Sequence, residues 1–240
     1  MLKVEDLWVN VEDKQVLEGI NFHVPEGRTH ILFGKNGSGK TTLLLTLLGF
    51  RNYRVMQGRI FFKGVDITSA PIYERIQMGM GASFQRPPIV KGLKTRQMVD
   101  ICNRSGEDYF PLAERLNFTE FLDRDINVGF SGGEIKRSEL LQLLVQKPDF
   151  IMLDEPESGV DIENMRLIGE VAGELLERHL MRTRTRSGLI ITHTGYILDY
   201  TNADLGHVMI DGRLVCSSNP YQIFKNINEK GFEECVKCIK

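Results

Sequence analysis

The stretch Gly34-Lys35-Asn36-Gly37-Ser38-Gly39-Lys40-Thr41-Thr42 constrains the fold of this chain more than any other. It fits the pattern G-x-x-x-x-G-K-[ST]. Ahead of it runs His30-Ile31-Leu32-Phe33, an apolar segment of strand character. Behind it runs Leu43-Leu44-Leu45-Thr46-Leu47-Leu48, a good helix former. Strand, glycine-rich turn and helix in that order make a phosphate-binding loop rather than a chance lysine among glycines. The first turn of a helix has N–H groups without partners and the positive end of the helix dipole. Gly34, Gly37 and Gly39 let the backbone curl so that successive N–H groups point at an anion. Lys40 is expected to reach the β- and γ-phosphates as a compact charge, and the Thr41 hydroxyl to meet a magnesium ion. The ligand class is a nucleoside triphosphate with Mg2+.

The 240 residues fit one large α/β domain. A chain of that size buries roughly 70–75% of its unfolded surface, so its core needs no covalent staples. The net charge of -2 supplies no broad basic field and argues against general nucleic-acid binding. Arg182, Arg184 and Arg186 alternate with threonines and are expected in a solvated loop between a helix and the next strand. Four cysteines spread over a large domain fit reduced thiols, and no apolar run approaches the length of a membrane span. The start Met1-Leu2-Lys3-Val4-Glu5-Asp6 lacks the basic and apolar blocks of a secretory signal, so a cytoplasmic protein is expected.

Along the chain, residues 2–33 read as strands separated by Glu12-Asp13-Lys14 and Pro25-Glu26-Gly27. Gly58 to Gly64 reads as a strand bounded by glycines. Residues 94–127 have helical spacing and are expected to form a helical subdomain. Phe150-Ile151-Met152-Leu153 and Leu189-Ile190-Ile191-Thr192 read as buried parallel strands, with a helix over roughly Ile162–Met181 between them. Val208 to Val215 reads as a hairpin with an Asp211-Gly212 turn.

Two acids, Asp154 and Glu155, follow the first of those strands, and His193 follows the second. Ligands of open α/β sheets bind at the carboxyl ends of strands. Asp154 is placed to hold Mg2+, and Glu155 to polarise the water that attacks the γ-phosphate. His193 can donate to that phosphate and steady the water or Glu155. Gln85 closes the apolar stretch Ala82-Ser83-Phe84 and can meet Mg2+ through its carbonyl oxygen. Ser131 and Glu134 spell the S-x-x-E capping box of an ordinary helix. Gly132 and Gly133 weaken a first turn and need a separate reason, the exposure of bare N–H groups as a second anion site. One phosphate loop per chain then places Ser131, Gly132, Gly133 and Glu134, with Asp161 at the same junction, over the nucleotide of another subunit.

The phosphate loop, Gln85, Phe130-Ser131-Gly132-Gly133-Glu134, Asp154-Glu155, Ser158-Gly159-Val160-Asp161 and His193 occur in the order of the ABC-type ATPases, which this chain resembles over residues 2–232. The resemblance implies a P-loop NTPase with a RecA-like core, an N-terminal antiparallel β-subdomain and an inserted α-helical subdomain. It implies one ATP-binding domain, with residues 1–85 and 148–240 as the nucleotide-binding core and residues 86–147 as the helical subdomain. It implies ATP hydrolysis with Mg2+ in a head-to-tail dimer that closes on ATP and opens afterwards. Gly34 through Thr42 and Gln85 would bind ATP, Glu155 and His193 would be catalytic, and Thr41, Gln85 and Asp154 would hold Mg2+.

Phe130 and Glu134 stand where transport ATPases usually carry leucine and glutamine. With Lys136-Arg137, Val11 to Lys14, Ile191-Thr192-His193, Ile197 to Tyr200 and Asp211 to Val215, they make the chain similar to the ATPases of the SUF iron–sulfur cluster assembly system. That likeness implies a SufB/SufD-type scaffold as partner. Pro156 is more usual in transport ATPases, and Arg86 to Val128 is short for the family's helical subdomain. Val11 replaces the aromatic on which most ABC ATPases stack adenine, which leaves base selectivity loose. The alternatives are a motor for a membrane permease and an ATP-gated clamp, and intact Glu155 and His193 argue against the clamp. Cys235 and Cys238 form a C-x-x-C pair, which two thiols alone do not make a zinc site.

Overall fold

The computed structural model describes residues 1–180 and 183–232. The strands are β1 (Leu2–Val11), β2 (Lys14–Val24), β3 (Thr29–Phe33), β4 (Tyr53–Phe62), β5 (Val65–Asp66), β6 (Met80–Ser83), β7 (Phe150–Asp154), β8 (Ser187–Thr192), β9 (Leu205–Ile210) and β10 (Arg213–Ser218). The helices are α1 (Lys40–Leu48), α2 (Ile72–Gln77), α3 (Thr95–Cys102), α4 (Phe110–Arg115), α5 (Gly132–Gln146), α6 (Ile162–Leu175) and α7 (Pro220–Lys230). Four strands form an antiparallel sheet in the order β2-β1-β4-β5. Six form a second sheet in the order β10-β9-β3-β8-β7-β6, parallel except for the β9–β10 hairpin.

The second sheet is buried on both faces, which is why β3, β7 and β8 read as continuous apolar runs. Alternation sends Leu32, Met152, Leu189 and Ile191 to one face, where they meet α1 and Leu2, Val4 and Leu7 of the antiparallel sheet. It sends Ile31, Phe33, Ile151, Leu153 and Ile190 to the other, against α5 and α6. Each such side chain contributes about 1.5–3 kcal/mol by leaving water. The carboxyl end of α1 is held by Arg75, a fully buried side chain of α2 that donates to the carbonyls of Thr46, Leu47, Thr68 and Ala70. The phosphate loop is therefore fixed between a central strand and a capped helix.

Between the sheet strands β6 and β7 the chain runs through α3, α4 and a tight turn at Thr119–Phe121 before entering α5. Phe118 and Phe121 stack at 5.0 Å, and Phe130 stands edge-on to them at 5.9 and 5.3 Å. The Arg124 guanidinium lies 4.9 Å from the Phe130 ring centre. This cluster fixes the residue immediately ahead of Ser131.

Three expectations change. The strand expected from Gly58 begins at Tyr53, and Gly58 (φ 92) sits inside it where the backbone of Glu5 and Asp6 comes close. The helix expected over 162–181 stops at Leu175, and Glu177 takes a left-handed turn (φ 54) that no helix can continue through. Arg184 is not solvated: its side chain is almost wholly covered and grips Asp204 at 2.7 and 2.9 Å, while Arg186 is half-buried, with its amide and that of Thr185 donating to Glu177. Arg182, Cys235 and Cys238 lie outside the described residues. No helix among the described residues is long and apolar enough to cross a membrane.

Candidate functional site

Neighbouring strands β3, β8, β7 and β6 end side by side, so the phosphate loop, His193, Asp154-Glu155 and Gln85 converge from four separate parts of the sequence. The loop has the glycine geometry expected. Gly37 (φ 81) and Gly39 (φ 106) adopt left-handed conformations that only glycine takes freely. A side chain at Gly34 would collide with Ser38 Oγ and the Met209 carbonyl, at 2.5 and 2.7 Å. Lys40 Nζ donates to the Gly34 and Lys35 carbonyls at 2.7 and 3.0 Å. Burial pulls the Lys40 ammonium below its usual range, with Glu155 and Asp154 opposing.

Thr41 Oγ1 donates to Asp154 Oδ2 at 3.2 Å, while Asp154 Oδ1 and Ser38 Oγ are buried without a hydrogen-bond partner. Burial pushes the Asp154 carboxyl up to about 6, with the Thr41 hydroxyl pulling it down and Glu155 adding to the rise. A hydroxyl and a carboxylate oxygen, one of them unpaired, fit a hard dication that keeps water in its remaining positions.

Glu155 lies at the centre. Its Oε2 accepts from Gln85 Nε2 at 2.5 Å, and its Oε1 lies 3.1 Å from His193 Nδ1 and 4.0 Å from Lys40 Nζ. The imidazole is off the line of a hydrogen bond, leaving Nδ1 unsatisfied, while the rest of the ring is partly exposed. Glu155 holds a left-handed backbone (φ 47), a conformation costing about 1 kcal/mol for a residue with a side chain. Its N–H bonds the Ile191 carbonyl at 2.8 Å, so β8 keeps the turn in place and aims the carboxylate across the strand ends.

The Ser131 turn is a true capping box: Ser131 Oγ accepts from the Glu134 amide, and Glu134 Oε2 accepts from the Ser131 amide at 2.8 Å. The Gly132 and Gly133 amides have no intrahelical acceptor, by the geometry of a first turn. The expected reason for these glycines is incomplete. A side chain at Gly132 would stand 2.0 Å from the Gly159 carbonyl, and one at Gly133 would press on Asn164 at 3.0 Å. Packing within one subunit thus already demands small residues here. Asp161 caps α6 through Asn164 and shares this junction, as expected, and both Ser131 and Asp161 are exposed.

Sequence reasoning missed a buried brace. Glu139 accepts from the Phe84 amide at 2.7 Å and the Ser83 hydroxyl at 2.9 Å, and Lys136 Nζ donates to the Phe84 carbonyl at 2.5 Å. Residues of α5 therefore hold the backbone just ahead of Gln85. A charged pair three residues apart on a helix reads as surface, and only the packing of α5 under β6 shows otherwise.

The family described as ABC transporter matches residues 17–158. The chain belongs to that family. SufC of Escherichia coli (strain K12), called a probable ATP-dependent transporter, is 34% identical over 97% of both chains. The probable ATP-dependent transporter ycf16 of Cyanidium caldarium is 35% identical over 90% of this chain and 89% of its own length. A solved ATP-binding cassette of an ABC transporter superposes with a TM-score of 0.77 at 26% identity, covering 100% of this chain and 98% of that one. The fold is accordingly that of the ABC ATPases, the antiparallel sheet and inserted helices included. This ABC ATPase binds and hydrolyses ATP with Mg2+. Proteins of its family work as dimers with a membrane or scaffold partner.

Proposed function

We propose that this ABC ATPase drives iron–sulfur cluster assembly on a SufB/SufD-type scaffold through ATP-dependent pairing of two copies. Gly34, Lys35, Asn36, Gly37, Ser38, Gly39, Lys40, Thr41 and Thr42 cradle the phosphates, and on ATP binding the Lys40 ammonium leaves the Gly34 and Lys35 carbonyls for phosphate oxygens. Thr41, Asp154 and Gln85 would hold Mg2+, which when bound would supply neutralisation of phosphate charge. Glu155, aimed by its left-handed turn and by Gln85, takes a proton from the attacking water. His193 donates to the γ-phosphate and keeps that water in line. Ser131, Gly132, Gly133 and Glu134, with Asp161, cap the nucleotide of the second copy. The chain is one ATP-binding domain, residues 1–85 and 148–240 forming the core and 86–147 the helical subdomain.

The observation that carries this reading is the convergence of Lys40, Gln85 and His193 on the Glu155 carboxylate. The SUF assignment is supported by the likeness to SufC over nearly the whole chain and by Phe130, Glu134 and Lys136 in the Ser131 region. A pull-down from cell lysate tests it: a soluble cluster scaffold among the bound chains supports it, and an integral membrane partner overturns it in favour of a transport motor. ATPase rate measured against protein concentration tests the pairing. A rate per molecule that rises with concentration is expected, and Ser131→Arg should abolish the rise while sparing nucleotide binding.

A further inference from the structure

Glu157 has no part in the site so far, yet it is a buried carboxylate two residues beyond Glu155. Its Oε1 accepts from two hydroxyls, those of Thr192 and of Thr194, the latter at 2.7 Å. These threonines flank His193 on both sides. Thr192 Oγ1 in turn accepts from the amides of Thr194 and Gly195 at 3.1 and 2.9 Å, which closes the loop around the histidine. The other Glu157 oxygen, Oε2, is buried without a partner. On the chain side, Glu157 stands at the root of the segment Ser158–Asp161. The Ser158 amide bonds the Glu155 carbonyl at 3.0 Å, and the Val160 amide reaches the Glu157 carbonyl at 3.4 Å. That segment presents the Gly159 carbonyl to Gly132 and ends in exposed Asp161.

We propose that Glu157 is a positioning residue for His193, tying the threonines on either side of it to the Ser158–Asp161 loop so that a shift of that loop moves the imidazole relative to Glu155. The proposal rests on the functional reading above. A side chain held only at its own backbone can swing, whereas one whose two neighbours are pinned to a single oxygen cannot move unless the pin moves. His193 Nδ1 now sits within 3.1 Å of Glu155 Oε1 but out of line for a hydrogen bond. A small displacement of the loop is enough to bring the two into or out of register. Docking of a second copy against Asp161 is thereby read by the first copy's own histidine.

The test is steady-state ATPase kinetics of Glu157→Ala, Glu157→Gln and Thr194→Val beside His193→Ala, with urea unfolding of each. Glu157→Ala is expected to lower kcat about tenfold while KM for ATP stays within about twofold, because positioning and not ground-state binding is lost. Glu157→Gln keeps an amide oxygen for both hydroxyls and should restore most of the rate. Thr194→Val should lower kcat in the same direction, and adding it to Glu157→Ala should cost little more. A wild-type kcat for Glu157→Ala, or a Gln variant as slow as the Ala variant at an unchanged urea midpoint, overturns the proposal. If the Ala variant does not fold, Thr194→Val alone decides: a wild-type rate overturns it. If His193→Ala itself turns over like wild type, the reading of the site fails. If His193→Ala is slow and the Glu157 and Thr194 variants are not, only this inference falls.

Discussion

Acid should loosen this fold through two histidines that face each other across β3 and β9. His30 Nδ1 and His207 Nε2 lie 2.9 Å apart, and His207 Nδ1 lies 2.7 Å from Ser217 Oγ. One N–H bridges the two rings, so the accepting ring must be neutral, and burial keeps the donor neutral too at neutral pH. Burial lowers each from 6.5 to about 4; His207 is pushed down further by His30, whereas Asp204 pulls His30 the other way. A fall of that size corresponds to about 3 kcal/mol per ring. The sign follows from proton uptake. Between 6.5 and about 4 the unfolded chain binds protons that the folded chain refuses. The stability is therefore whole above pH 6.5 and declines as the pH drops toward 4. By pH 5 the loss is roughly 2 kcal/mol per ring. The assay is urea unfolding followed by fluorescence of the single tryptophan, Trp8, at about pH 7.5 and pH 5, for the wild type and for His30→Gln/His207→Gln. The wild type should lose roughly 3–4 kcal/mol more than the variant over that interval. Equal losses in both proteins would refute the argument, since every other titrating group is common to them.

Lys40→Ala should abolish ATP binding measured by calorimetry, because it removes the buried ammonium held inside the phosphate loop. Glu155→Gln should bind ATP yet hydrolyse it at least about a hundredfold more slowly, and gel filtration with ATP should show an accumulated dimer. Gly132→Ala pushes a methyl to 2.0 Å from the Gly159 carbonyl, so it should displace the Ser158–Asp161 loop and remove the concentration dependence of the ATPase rate. Arg75→Met leaves four carbonyls unanswered, two at the end of α1 and two in the segment ahead of α2, and should cost about 3 kcal/mol in urea unfolding. Burial brings the Arg75 guanidinium only to about 10, so it is charged throughout the neutral range.

The residues of the candidate site were legible because each follows a local pattern that physics makes distinctive. Apolar runs ending in Asp154-Glu155 or in His193 mark strand ends, and Gly37 and Gly39 mark a loop that must turn left-handed around an anion. The Asp211-Gly212 turn was legible for the same reason, both residues having positive φ. Local pattern therefore determined the ligand class, the parallel sheet and which residues stand at the strand ends. Tertiary structure decided what no local pattern encodes. Arg184 looks like part of a solvated basic run until Asp204 arrives from elsewhere in the chain. Glu157 and Glu139 are carboxylates whose partners lie 35 and 56 residues away, so their burial is visible only once β6, β7, β8 and α5 are packed. Gly132 answers to a carbonyl of another loop as much as to its own helix. A charged side chain carries no mark of its depth in sequence, because depth is set by the neighbours that cover it.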